Sequence, residues 1–93
     1  MAAAFSLPAV ASLEQAPALL HEVDAAINAA GPDGLRLDAS ALTEFDTSAV
    51  ALLLHAQRTA LAQGKALQVV GAPPKLSELA RLYGVDGLLP LAT

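Results

Sequence analysis

Residues 43 to 54 read Thr-Glu-Phe-Asp-Thr-Ser-Ala-Val-Ala-Leu-Leu-Leu. An apolar approach ends at Asp46, two hydroxyl residues follow, and a strongly apolar run with helix-forming composition starts at once. That order places Thr47 and Ser48 where a strand or loop hands over to a helix N-terminus. The first turn of a helix has unpaired backbone N–H groups and a positive dipole end. A hydroxyl at such a place can cap the helix, receive a phosphoryl group, or face a partner. Asp46, Thr47 and Ser48 are all strong capping types, each able to contribute about 1 kcal/mol by satisfying one orphan N–H.

Outward from this junction, the chain alternates. Ala2 to Leu7 reads as a short edge strand closed by Pro8. Ala16 to Ala30 reads as a helix, with Pro17 at its start and Leu20, Val23, Ile27 and Ala30 at helical spacing. Gly31-Pro32-Asp33-Gly34 stops it. Leu35-Arg36-Leu37-Asp38 alternates as a strand with its leucines inward, and Ala39 to Phe45 continues as a loop with Leu42 and Phe45 packed beneath. A second helix, Thr47 to Ala62, ends at Gln63-Gly64-Lys65. Ala66 to Val70 is almost wholly apolar, as a central strand covered on both faces would be. A third helix, Lys75 to Tyr83, puts Leu76, Leu79 and Tyr83 on one side, with Gly84 as its C-terminal stop. Val85 to Leu91 follows as a short helix and strand. Strand-helix alternation implies parallel β-α-β units with right-handed crossovers.

Composition bounds the function. The chain has 93 residues, enough for one domain with a single core. Its 55% hydrophobic content is mostly Ala and Leu, which favours helices on a modest sheet. The net charge is −4 and the five basic residues are scattered, so no basic surface exists for nucleic acid. With no cysteine, there is no thiol catalysis and no Cys-ligated zinc. The first basic residue is Arg36, which speaks against a leader peptide, and the longest apolar run, Ala49 to Leu54, is far too short to span a bilayer. These features predict a cytoplasmic protein.

No nucleophile–base pair, phosphate loop or dinucleotide fingerprint is present, and no cofactor is implied. His21 and His55 lie on different helices; Asp24, three residues from His21, is the only acidic partner at helical spacing, and no metal site is expected. The chain therefore reads as a non-enzyme. In the second helix Val50, Leu53, Leu54 and Leu61 form the expected core stripe, which leaves Ala51, Leu52 and His55 on the remaining surface. A short helix apolar nearly all round is either deeply buried or docked against a partner.

Leu37-Asp38-Ala39-Ser40, followed by Phe45-Asp46-Thr47-Ser48-Ala49-Val50, resembles the strand, loop and Asp-(Ser/Thr) signature of STAS domains, found in sulfate transporters and anti-sigma-factor antagonists. Further segments extend the likeness: Ala51-Leu52-Leu53-Leu54-His55, then Gln68 to Lys75, then Leu79-Ala80-Arg81-Leu82-Tyr83-Gly84-Val85 and Leu88-Leu89-Pro90. Together they are similar to the STAS subunit of Mla-type phospholipid-transport ABC systems. The resemblance implies an α/β fold of the anti-sigma-factor-antagonist type, a small mixed β-sheet with helices packed against it. It also implies a non-catalytic subunit that binds the ATPase of a transporter maintaining outer-membrane lipid asymmetry, and that reaches the membrane only through that complex. On this basis Thr47, Ser48, Ala51, Leu52 and His55 are the expected partner-binding residues. Thr47 falls on the threonine of the subfamily's Asp-Thr-Gly-Gly-Leu motif. Ser48 replaces the first glycine and coincides with the phosphorylated serine of the antagonists, so the alternative is a phosphorylation-switched antagonist that binds an anti-sigma kinase. One strand is expected before the first helix, where antagonists usually show two.

Overall fold

A computed structural model of the protein describes residues 3–89. Three strands form its sheet: β1 (Ala3–Ser6), β3 (Leu35–Asp38) and β5 (Leu67–Val70), in the order β1-β3-β5. Both pairings are parallel, with Ala3, Leu35 and Leu67 in one row and Phe5, Leu37 and Val69 in another. Helices α1 (Ala16–Ala29) and α2 (Thr47–Ala62) carry the chain from β1 to β3 and from β3 to β5. A shorter helix, α3 (Pro74–Leu82), and a 3-10 turn, Asp86–Leu88, follow β5. Two further strands, β2 (Val10–Ala11) and β4 (Glu44–Phe45), pair in parallel beside the main sheet.

Burial explains the arrangement. Along β3 and β5, Leu35, Leu37, Leu67 and Val69 are buried while Arg36 and Gln68 are exposed, so helices cover one face and solvent meets the other. Val23 and Ile27 of α1, Leu53 of α2 and Leu76 of α3 are at most 1% exposed and fill the space above that covered face. Full burial of side chains of this kind contributes about 1.5–3 kcal/mol each. Lys65, just after α2, donates from Nζ to the Ile27 and Asn28 carbonyl oxygens (2.7 and 3.2 Å). A cation thereby meets two carbonyls at the negative end of α1 and ties it to the end of α2.

Several sequence expectations change. The sheet is wholly parallel among the described residues, not mixed, because every connection between its strands passes through a helix. β5 is an edge strand and not the central one; β3 takes the centre. Two strands, not one, precede α1, although β2 is only two residues long and no periodicity could reveal it. β4 likewise replaces the end of the expected loop, while Leu42 is buried as anticipated and Phe45 is half-buried. In α1 the buried stripe is Leu19, Val23, Ile27, one residue out of phase with Leu20. In α2 the buried residues are Ala49, Val50, Leu52, Leu53, Ala56 and Ala60, so Val50 and Leu53 lie inward as expected, while Leu54 is half-buried and Leu61 is 66% exposed. Small alanines let α2 lie close against its neighbours, and a search for large apolar side chains passes over them. Tyr83, expected on the packed side of α3, is 59% exposed. The tail forms the 3-10 turn, and its expected last strand falls partly outside the described residues.

Gly34, at the entry to β3, has φ +89° and lies against the Ala66 backbone, so that a Cβ would fall on the Ala66 carbonyl oxygen. Gly64 has φ +67° with open space around it. Both positions disfavour L side chains by about 1–2 kcal/mol, but only Gly34 adds a collision with the neighbouring strand's approach. Gly34→Ala is expected to destabilise the domain clearly more than Gly64→Ala in urea titrations; equal losses would show that the close approach to Ala66 is unimportant.

Candidate partner-binding surface

The site is built around Asp46, the N-cap of α2, whose extended backbone turns the chain from β4 into the helix. Its Oδ1 accepts the Ser48 N–H at 2.8 Å. Its Oδ2 accepts the Leu13 N–H at 3.1 Å. One carboxylate thus caps α2 and fastens the turn that leads into α1. That turn is itself closed locally: Gln15 Oε1 accepts from the Ser12 N–H, and the Ser12 carbonyl accepts from the Gln15 and Ala16 N–H groups. The Ser12-x-x-Gln15 spacing is that of a capping box. Hydrogen bonds from Ser48, first its backbone N–H, hold the Asp46 carboxyl below the usual aspartate range.

Thr47, the first residue of α2, is exposed. Ser48 is half-buried, and its hydroxyl also supports the Asp46 carboxylate. Ala51, one turn on, is exposed, and His55 is half-buried. His55 Nε2 lies 2.9 and 3.2 Å from the two Asp24 carboxylate oxygens on α1, and Thr59 Oγ1 lies 3.3 Å from the same nitrogen. Asp24 therefore pairs with His55 across the two helices rather than with His21, which is exposed. Among the described residues no group of three or more metal-ligating side chains gathers anywhere.

Leu52, expected on the surface, is 4% exposed. It forms the floor of a groove of about 420 Å³ between α1 and α2, with Ser48, Ala51 and His55 along one wall. Leu13, Pro17 and Leu20 make the opposite wall. These three were missed in the sequence reading. The signal available for them was the Ser12-x-x-Gln15 spacing, which marks the turn that leads through Leu13 into α1. On its other side, Thr47 borders a depression of about 380 Å³ shared with Lys75 and Leu82 of α3. Thr47 and Ala51 thus stand on a ridge with a depression on either flank, the one toward α1 mostly apolar and the one toward α3 bordered by Asp46, Lys75 and Glu78.

A family model described as the Mlab STAS domain matches residues 2–90. The chain belongs to the STAS domain family. Its fold is similar to that of an anti-sigma-factor antagonist (STAS) domain protein from Planctomyces limnophilus, with a TM-score of 0.78 and 18% identity over 95% of this chain and 79% of that one. It is also similar to the anti-sigma factor antagonist SpoIIAA in its unphosphorylated form, with a TM-score of 0.70 and 16% identity over 98% of this chain and 81% of that one. At such identities the likeness is one of fold. No curated protein matches the sequence. Among the described residues of this STAS domain, no helix is long and apolar enough to cross a membrane.

Asp46→Ala removes the α2 cap and the tie to Leu13 together, so a lower melting temperature is expected at neutral pH. Because folding depresses the Asp46 pKa, its contribution is present above the ordinary aspartate value and is lost as the pH falls through the lowered one. The gap between wild type and variant should therefore be constant near neutrality and shrink in acid. Thermal melts across that range check it; a gap that widens in acid would contradict the assignment.

Proposed function

We propose that this STAS domain is a non-catalytic interaction subunit that binds and regulates the ATPase of a phospholipid-transport ABC complex, one that maintains outer-membrane lipid asymmetry. The observation that carries the reading is the exposed ridge at the start of α2: Thr47 and Ala51, an apolar groove toward α1, a depression bordered by charged side chains toward α3, and Asp46 fixing the backbone beneath. The match to the Mlab STAS domain description supports the choice of partner. On this reading Thr47, Ser48, Ala51 and His55 contact the ATPase. Leu52 shapes the groove floor from below, with Leu13 and Pro17 completing the opposite wall. The domain is soluble in the cytoplasm and meets the membrane only through the transporter.

The phosphorylation-switched reading, with an anti-sigma kinase as partner, gains no support from the geometry of Ser48. Ser48 is half-buried beside the Asp46 carboxylate, which accepts its backbone N–H and draws on its side chain. A phosphate there, carrying about −1.5 to −2 charges, would repel that carboxylate and compete with the cap that sets the helix start.

Thr47→Arg places a long cation on the ridge, where desolvating an unpaired charge in a packed contact costs several kcal/mol. Co-purification of tagged ATPase should be abolished while the free domain melts as wild type, since Thr47 is exposed. Arg36→Ala, on the open face of the sheet, should leave capture unchanged. ATPase captured at wild-type levels by Thr47→Arg would place the interface elsewhere. Leu52→Asp is unsuited to this test because it buries a carboxylate in the core.

A further inference from the structure

Strand β1 ends the sheet, and its outer side is open among the described residues. In the parallel ladder with β3, the Ala3 and Leu7 N–H groups donate to the Gly34 and Asp38 carbonyl oxygens. Alternate residues therefore turn inward, and the backbone N–H and C=O groups of Ala4 and Ser6 point away from β3. No hydrogen bond engages these groups among the described residues. An open strand edge is a template for another strand, and proteins commonly block it with charge, proline or a bulge. Ala3–Ser6 carries none of these. Phe5 shares a row with Leu37 and Val69 on the helix-covered face, yet is only half-buried because that face stops at β1. The flank of α1 beside this edge is the one turned from α2, since Asp24 and Asn28 reach His55 and Gln63 on the other. It presents Ala18, Glu22, Ala25 and Ala29, all exposed, and three of them are too small to roof the edge.

We propose that two copies of this chain pair edge to edge through β1, antiparallel about a two-fold axis at Phe5, joining two three-stranded sheets into one. Hydrogen bonding and charge select this partner and this register. Only outward-facing residues can form the hydrogen-bonded pairs of the new ladder. Centring on Phe5 sets Ala4 opposite Ser6 of the second copy, and Ser6 opposite its Ala4, so the outward groups of both copies are satisfied. On the open face each row then reads Arg36, Ala4, Ser6 of the second copy, Asp38 of the second copy. Opposite charges end every row, with only small side chains between them. Centring on Ala4 would instead put Arg36 in a row with its own copy, and centring on Ser6 would do the same for Asp38. The Ser6 register also sets Ala4 against Pro8, which has no N–H to give. This self-match favours a second copy over a foreign strand. At the axis the two Phe5 residues form a non-hydrogen-bonded pair, with Cα atoms about 4.5 Å apart, and each ring covers the exposed part of the other. The pairing is isologous and closes at a dimer. The edge is separate from the Thr47 ridge and the α1–α2 groove, so the proposal does not depend on the partner bound there.

Sedimentation equilibrium of the wild-type chain across a wide concentration range, with NMR amide exchange at the same concentrations, tests it. The mass should rise toward twice the 9.4 kDa of one chain. The Ala4 and Ser6 amides should exchange freely when dilute and gain roughly tenfold protection or more when concentrated. Ala4→Pro removes one outward N–H at an edge position that tolerates proline. It should stay monomeric while melting near wild type in dilute solution. The chain has no cysteine, so Phe5→Cys under mild oxidation should give a disulfide-linked dimer. Gln68→Cys, on β5 at the other edge of the sheet, should not. A monomer at every concentration overturns the proposal, as does a dimer whose Ala4 and Ser6 amides stay unprotected. Growth beyond a dimer, the mark of head-to-tail pairing of β1 with β5, also overturns it, and so does equal crosslinking at the two cysteines. If Ala4→Pro melts far below wild type, the wild-type mass and exchange decide alone.

Discussion

The two-sided hydrogen bonding of Asp46 is the constraint on which the rest of the surface depends. A carboxylate that capped α2 alone would fix one helix end. By accepting from Leu13 as well, it fixes the mouth of α1 against the mouth of α2. The groove between the two helices, the exposure of Thr47 and the orientation of the outer face of α2 all follow from that shared anchor. At the far end, Lys65 joins the last turn of α1 to the end of α2, so the helix pair is tied at both termini by charged groups placed favourably for the helix dipoles. Between these ties, the His55–Asp24 pair bridges the same helices at mid-length.

Helix α2 buries small and large apolar residues together on its inner side, Val50, Leu52 and Leu53 beside three alanines. Ala49, Ala56 and Ala60 face inward with Leu53, allowing close packing in a domain too small for a thick core. The larger Leu54 and Leu61 are left on the outer side, where α3 and the 3-10 turn cover them only in part. The sequential order β1-β3-β5 contributes: crossovers of the usual right hand that advance in one direction leave α1 and α2 on one face, and the opposite face exposes Arg36 and Gln68.

The alternation of elements was legible from turn chemistry and periodicity. Gly31 to Gly34 and Gly71 to Pro74 mark the breaks, and Leu35 and Leu37 mark the strand. The junction at Asp46 was legible too, because three capping residues precede an apolar run. Three things were not. Strand order is set by long-range pairing, so an apolar run at Leu67 to Val70 read as central when it lies at an edge covered on one side only. Strands of two residues leave no periodic trace. The buried arc of α2 was misplaced at its edges: a run apolar nearly all round gives no sharp phase, so Leu52 was expected outside and lies inside, while Leu61 was expected inside and lies outside. The Leu13, Pro17 and Leu20 wall escaped notice because Leu13 reaches the site through the hydrogen bond of its backbone N–H to Asp46, a tie across 33 residues of sequence.

The most direct test is amide hydrogen exchange at Leu13 and Ser48, followed by NMR in the wild-type chain and in Asp46→Ala. If one carboxylate anchors both helix mouths, the two amides are protected in the wild type and lose protection together in the variant, while the amides of Leu37 and Val69 in the sheet keep theirs. A wild-type Leu13 amide that exchanges as fast as an open loop, or a variant in which Leu13 stays protected after Ser48 is released, would contradict the shared anchor.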